Sequence, residues 1–145
     1  MPVTLTSTTT RRALLGAALL FQGLLSARAQ SPQSAVSPRE AHEAAKAGRL
    51  LLVDIRTPAE WADTGLATGA IRLDAGSAGF EVRLAGLRLD NPGRRIALID
   101  RTGGLSATVR QKLSQRGWRD LAVVRGGMLG QGGWLAEKLP VSGYP

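Results

Sequence analysis

The sequence predicts an α/β fold of three layers, a central parallel sheet flanked by helices. Three observations carry that expectation. Two apolar runs, Leu50-Leu51-Leu52-Val53 and Ile96-Ala97-Leu98-Ile99, pass straight into Asp54-Ile55 and Asp100, as strands buried on both faces do. Segments with helical spacing alternate with the apolar runs, and Gly or Pro breaks separate the two kinds of segment. The chain has 145 residues, 43% of them hydrophobic and 21% charged, which suits one globular domain with a modest core.

Taken in order, residues 1–29 read as an address. They carry no acid, and Arg11-Arg12 precede a 13-residue apolar run from Ala13 to Leu25. Ser26-Ala27-Arg28-Ala29 then offers the small residues of a signal-peptidase site, so cleavage is expected after Ala29. A membrane span needs about 20 apolar residues, so a cleaved leader is expected and no stable anchor after cleavage. Arg11-Arg12 with Ala13-Leu14-Leu15 resembles the twin-arginine export signature of bacteria, which implies a periplasmic or secreted product.

Residues 30–37 read as a Ser/Gln/Pro-rich linker, residues 38–139 as the domain, and 140–145 as a C-terminal tail. Ser37-Pro38-Arg39-Glu40 is a capping box opening a helix that Gly48 stops. Leu50–Ile55 is the first strand, Pro58–Asp63 one helical turn closed by Gly65, and Ala70–Leu73 a second strand. Phe80, Leu84 and Leu87 put a helix over 80–89, before the Asn91-Pro92-Gly93 break. A third strand over Arg95–Ile99, a helix over Ser106–Arg116 and a strand over Leu121–Val124 follow. A last helix around Trp134–Leu139 is expected, ended by Pro140.

Composition excludes several chemistries. With no cysteine there is no disulfide, thiolate metal site, persulfide or redox dithiol. A single histidine, His42, argues against an all-protein zinc site; no metal and no cofactor are expected. The formal charge is +8, and loss of the leader leaves +5 on 116 residues. Those cations are scattered and aromatics make up only 4%, so nucleic acid is not an expected partner.

The loop after the third strand is the candidate site. Ligands of open α/β sheets bind beyond the carboxyl ends of strands. There, Asp100-Arg101-Thr102-Gly103-Gly104-Leu105-Ser106 can curl its amides into an anion nest at a helix N-terminus, with Ser106 as a candidate cap. Asp54-Ile55-Arg56-Thr57-Pro58-Ala59-Glu60-Trp61, Gly65, Gly69-Ala70-Ile71, this loop, Gly117-Trp118, Gly126-Gly127-Met128 and Trp134 together resemble the rhodanese-like family over roughly residues 38–139. The resemblance implies a single rhodanese domain with its active loop between the sheet and a helix. That family's loop resembles C-x-x-G-x-R-S, and its thiolate carries a sulfane sulfur. Asp100 stands at the cysteine position and Leu105 at the arginine position, while the usual G-H-I-x-G-A reads Gly65-Leu66-Ala67-Thr68-Gly69-Ala70.

A carboxylate cannot hold a persulfide, so cysteine-dependent sulfurtransfer is excluded. The leading expectation is a non-catalytic binding or regulatory module, with the Asp100 carboxylate filling the nest and an unknown protein as partner. A second is weak oxyanion binding, with Arg101, and Arg56 if it leans toward the loop, offsetting Asp100. A third is an Asp-nucleophile phosphohydrolase, because Asp100-Arg101-Thr102-Gly103 resembles the D-x-T-G start of the haloacid dehalogenase superfamily. Its downstream candidates are Lys112, Lys138, Asp120 and Glu137. The bland readings are a structural Asp54–Arg56 pair, core roles for Trp61, Trp118 and Trp134, Glu60 paired with an arginine, and His42 as a packing or surface residue.

Overall fold

A computed structural model describes residues 34–145, and the predicted leader and cleavage site lie outside the described residues. The elements run β1 (Ala35–Val36), α1 (Pro38–Lys46), β2 (Leu50–Asp54), α2 (Pro58–Thr64), β3 (Leu66–Ala67), β4 (Ile71–Arg72), α3 (Phe80–Asp90), β5 (Arg95–Ile99), α4 (Gly104–Ser114), β6 (Leu121–Val124) and β7 (Val141–Ser142). Five strands form one parallel sheet in the order β1-β6-β5-β2-β4, flanked by helices, as predicted.

Strand pleating explains the two cores. Leu50 and Leu52 of β2, Ala97 and Ile99 of β5, and Ala122 and Val124 of β6 share one face with Ala41, Met128 and Trp134. Their sequence neighbours Leu51, Val53, Ile96, Leu98 and Leu121 meet Phe80, Leu84 and Leu113 on the other. A period of two therefore supplies both cores from the same three strands, and the runs must be apolar throughout.

Helix starts follow their caps. In α1, Ser37 Oγ accepts from Glu40 N at 3.2 Å and Glu40 Oε2 accepts from Ser37 N at 2.8 Å. Such a cap stabilises a helix by about 1 kcal/mol. In α2, Thr57 and Glu60 form the same reciprocal pair behind Pro58.

Several expectations need correction, and α4, predicted over Ser106–Arg116, lies two residues earlier at Gly104–Ser114. Ala35-Val36, assigned to the linker, is an edge strand paired in parallel with Val123-Val124. Val141-Ser142, assigned to the tail, pairs antiparallel with Ala67 and Leu66. Trp134–Leu139 forms consecutive turns rather than a helix. There the Trp134 and Leu135 amides bond back to Gly127 and Met128 carbonyls, tying the segment to the preceding loop. The short α2 runs one residue longer than predicted, to Thr64, before its Gly65 cap.

Candidate functional site

Two aspartates leave the carboxyl ends of neighbouring strands, Asp54 from β2 and Asp100 after β5. Each is buried. A buried carboxylate is costly unless its lone pairs are satisfied, and the surrounding sequence supplies partners for both.

Around Asp54 the partners are Arg56 and Trp61. Asp54 Oδ1 accepts from Arg56 N at 3.1 Å, Arg56 Nε at 3.0 Å and Trp61 Nε1 at 3.0 Å. Oδ2 accepts from Arg56 Nη2 at 2.7 Å. The rest of the guanidinium donates to Thr64 Oγ1 at 2.7 Å and to the Gly65 carbonyl at 2.8 Å. Arg56 is 2% exposed. The pair is a structural clasp joining β2 to the middle and C-terminal end of α2. The Arg56 guanidinium is thereby committed to Asp54, Thr64 and Gly65, which leaves Arg101 as the other arginine that the oxyanion reading names.

Glu60 also departs from expectation. Its carboxylate caps α2, with Oε2 accepting from Thr57 N at 3.1 Å and Thr57 Oγ1 at 3.0 Å, and among the described residues no arginine lies in salt-bridge range. The Thr57 amide, above all, holds its pKa below the ordinary glutamate value; partial burial opposes this, and the Arg56 and Arg101 charges add to it. The capping pattern Thr57-Pro58-Ala59-Glu60 was present in the sequence and identifies this role.

Asp100 is wrapped by its own loop. Oδ1 accepts from Gly103 N at 2.8 Å and from Ser106 Oγ at 3.0 Å. Oδ2 accepts from Leu105 N at 2.8 Å and Ser106 N at 3.3 Å. Three of these donors are amides at the start of α4, which carry the positive end of the helix dipole. Asp100 is 2% exposed. Ser106, expected to cap α4, instead spends its hydroxyl on Asp100; the N-cap position is Gly103, without a side-chain cap. Gly103 has φ +104°, a conformation that costs glycine little and turns its N–H back onto the carboxylate.

The remaining loop residues frame the cradle. Arg101, Thr102, Gly104 and Leu105 are exposed. Behind them the Gly126–Gly133 segment buttresses the loop, Met128 N donating to the Asp100 carbonyl and Leu129 N to the Arg101 carbonyl, both at 2.8 Å. A Cβ on Gly127 would collide with the Asp100 carbonyl oxygen and with the Arg101–Thr102 peptide, so only glycine allows this approach.

Other candidates lie elsewhere. Lys112 pairs with Glu81, Asp120 with Arg88 and Glu137 with Arg39; Lys138 lies in the turns after Trp134. Lys112, Asp120 and Glu137, three of the four residues a phosphohydrolase would gather, are thus engaged with other partners. Trp61 and Trp134 are core residues, whereas Trp118 is half-buried beneath the Arg88 guanidinium. His42 packs edge-on to Trp134.

Among the described residues no helix is long and apolar enough to cross a membrane, and no group of three metal-ligating side chains occurs. The chain is similar to a rhodanese-related protein from Thermoplasma volcanium at 25% identity, TM-score 0.58, covering 74% of this chain and 96% of that one. A protein from Staphylococcus saprophyticus is 29% identical at TM-score 0.50, over 66% of this chain and 90% of its own. CoADR-RHD of Bacillus anthracis, 22% identical at TM-score 0.54, shares the fold; the match spans 66% of this chain but 16% of that longer one. No curated protein matches significantly. The family model for the rhodanese-like domain matches residues 37–131. With the parallel sheet and the strand-end loop in place, the chain belongs to the rhodanese-like domain family.

Proposed function

We propose that this is an exported, non-catalytic rhodanese-like domain that works by binding a protein partner. In this reading Asp100 occupies the position of the family's thiolate and Leu105 that of its loop arginine. The observation that carries it is the set of four hydrogen bonds converging on the Asp100 carboxylate. Donors that would hold an external anion are used by an internal one, in a chain with no cysteine to carry sulfur.

Nucleophilic use of Asp100 has less support. Attack on phosphorus needs an oxygen with an open approach, and both oxygens are buried and bonded within the loop. Oxyanion binding also loses its rationale, because Arg56 is held by Asp54 and the nest already contains a charge. Of the two arginines which that reading names, Arg56 and Arg101, Arg101 is the exposed one.

Two measurements test the proposal. Full-length protein should give no thiocyanate from thiosulfate and cyanide, and no saturable heat with millimolar thiosulfate, sulfate or phosphate. Turnover or saturation by the wild type would overturn it. The Asp100→Cys/Leu105→Arg variant rebuilds the family loop and should gain detectable sulfurtransfer. A folded variant that stays inactive would sink the alignment of Asp100 with the thiolate position.

A further inference from the structure

Ion pairing on this domain is uneven. Glu40, Glu43, Asp54, Glu81, Asp120 and Glu137 each have a guanidinium or ammonium within 4 Å. Among the described residues Glu60, Asp63, Asp74, Asp90 and Asp100 have none, and of these Glu60 and Asp74 stand in the same cleft. That cleft is about 350 Å³, and its apolar walls are Ile55, Ala75, Leu105 and Val109. It opens between α2, α4 and the loop after β4, beside the amide of Leu105 that holds Asp100.

Among the described residues, each rim carboxylate keeps one oxygen without a hydrogen-bond partner. Glu60 uses Oε2 on Thr57, and Asp74 uses Oδ1 on Gly76 N at 2.7 Å. Arg56 also lines the cleft, but its guanidinium is spent on Asp54, Thr64 and Gly65. Arg101 lies close enough for its field to act on Glu60 without forming an ion pair. The neighbouring cleft shares Ala75 and Val109 yet differs in one respect: its carboxylate, Glu81, is already bridged by Lys112 and Arg116. An apolar slot with two carboxylates that form no ion pair among the described residues suits a side chain that is apolar along its stem and cationic at its tip.

We infer that this cleft seats a Lys or Arg side chain of a partner protein, with its methylenes against Leu105 and Val109 and its charge between Glu60 and Asp74. The assignment rests on the domain being a binding module and adds the chemistry of what it binds. It reverses the charge preference of an anion-binding loop: with Asp100 installed beneath and two carboxylates at the rim, the mouth attracts cations.

The test uses the full chain, labelled with nitrogen-15, and two blocked tripeptides, acetyl-Leu-Lys-Leu-amide and its charge-reversed analogue acetyl-Leu-Glu-Leu-amide. The lysine peptide should give saturable shifts at the Gly76, Leu105 and Val109 amides, weakened by salt, while the glutamate peptide gives none. Glu60→Gln/Asp74→Asn keeps the capping bonds to Thr57 and Gly76 and should bind the lysine peptide about tenfold more weakly, as two exposed charge contacts imply. Equal binding of the glutamate peptide, unchanged affinity in the folded double variant, or silence of those three amides would each overturn the inference. So would self-association that the double variant abolishes, because a second copy would then be the occupant. Thiosulfate turnover in the same wild-type sample would strike the proposed function instead. A silent lysine peptide without turnover strikes only the cleft.

Discussion

Removing the Asp100 side chain should open a cradle that a small external anion can refill. In Asp100→Ala the donors Gly103 N, Leu105 N, Ser106 N and Ser106 Oγ persist, while the two oxygens they bond disappear. A hydrogen bond to a charged group contributes about 1.5–3 kcal/mol, and each donor left buried and unsatisfied costs about 1–3 kcal/mol. The four contacts share one carboxylate and cannot be summed, and Ser106 can turn its hydroxyl elsewhere. A net loss of about 3–5 kcal/mol is expected, in line with breaking other buried charged contacts. For a domain of this size that lowers Tm by roughly 12–40 °C. Formate is nearest in size to the missing carboxylate and should refill the gap. At a hundredfold excess over its Kd it returns about 2.7 kcal/mol. The assay is urea unfolding of wild type and variant in sodium formate against sodium chloride at equal ionic strength. A formate-specific gain in the variant alone is the expected result. Equal formate effects on both proteins, or a variant as stable as wild type without formate, would refute the account of the loop as a filled anion site.

Arg56→Met should destabilise the domain by about 3–5 kcal/mol in urea, because it strands the Asp54 carboxylate, which is 0% exposed, without its cation. Adding Asp54→Asn should recover part of that loss, which a double-mutant cycle measures. Glu40 and Glu60 both have folded pKa values lowered, chiefly by the Ser37 and Thr57 amides respectively. Depressed carboxylates contribute stability that is complete above the unfolded glutamate value, near 4.3, and lost as pH falls through the folded values. Glu40→Gln/Glu60→Gln should therefore flatten the acid limb of the urea midpoint and converge with wild type below it; parallel limbs would refute the capping account. Deleting Pro140–Pro145 removes β7, the Pro140 carbonyl that accepts from Trp134 Nε1 at 2.9 Å, and the Tyr144 ring set against Trp61. A loss of about 2–4 kcal/mol with altered tryptophan fluorescence is expected, given one β pairing, one buried hydrogen bond and one aromatic contact.

The sequence made the sheet legible wherever burial on both faces forced continuous apolar runs. Leu50–Val53 and Ile96–Ile99 could be read because neither pleat face tolerates a polar residue. Two residues carry no periodicity, and β1, β3 and β7 lack the longer stretch, Ala70–Leu73, that marks the equally short β4. Their pairing is set by partners far along the chain, Val123-Val124 for β1 and Leu66-Ala67 for β7. The Trp134–Leu139 segment looked helical from its apolar spacing, but its amides answer to the loop it packs on. At the site, the Asp100 loop and the Asp54–Arg56–Trp61 group were readable from residue type and order. The roles of Glu60 and Ser106 were assigned to the wrong partners. Glu60 has a local capping signal, Thr57-Pro58-Ala59-Glu60. Ser106 had none, since its choice of Asp100 over α4 follows from where the loop folds back.

The pairing of Val36 with Val124 has a kinetic side. The outermost strand is made first and the strand it needs is made almost last, so the sheet closes only across most of the domain. Contacts of such sequence separation carry a large loop-closure cost before they return any stability, which slows folding relative to helical proteins of equal size. Until β6 emerges from the ribosome, Ala35-Val36 and the edge of β5 both present unpaired backbone. Nascent chains stalled before Leu121 should therefore be captured by strand-binding chaperones, whereas chains released past Val124 should not.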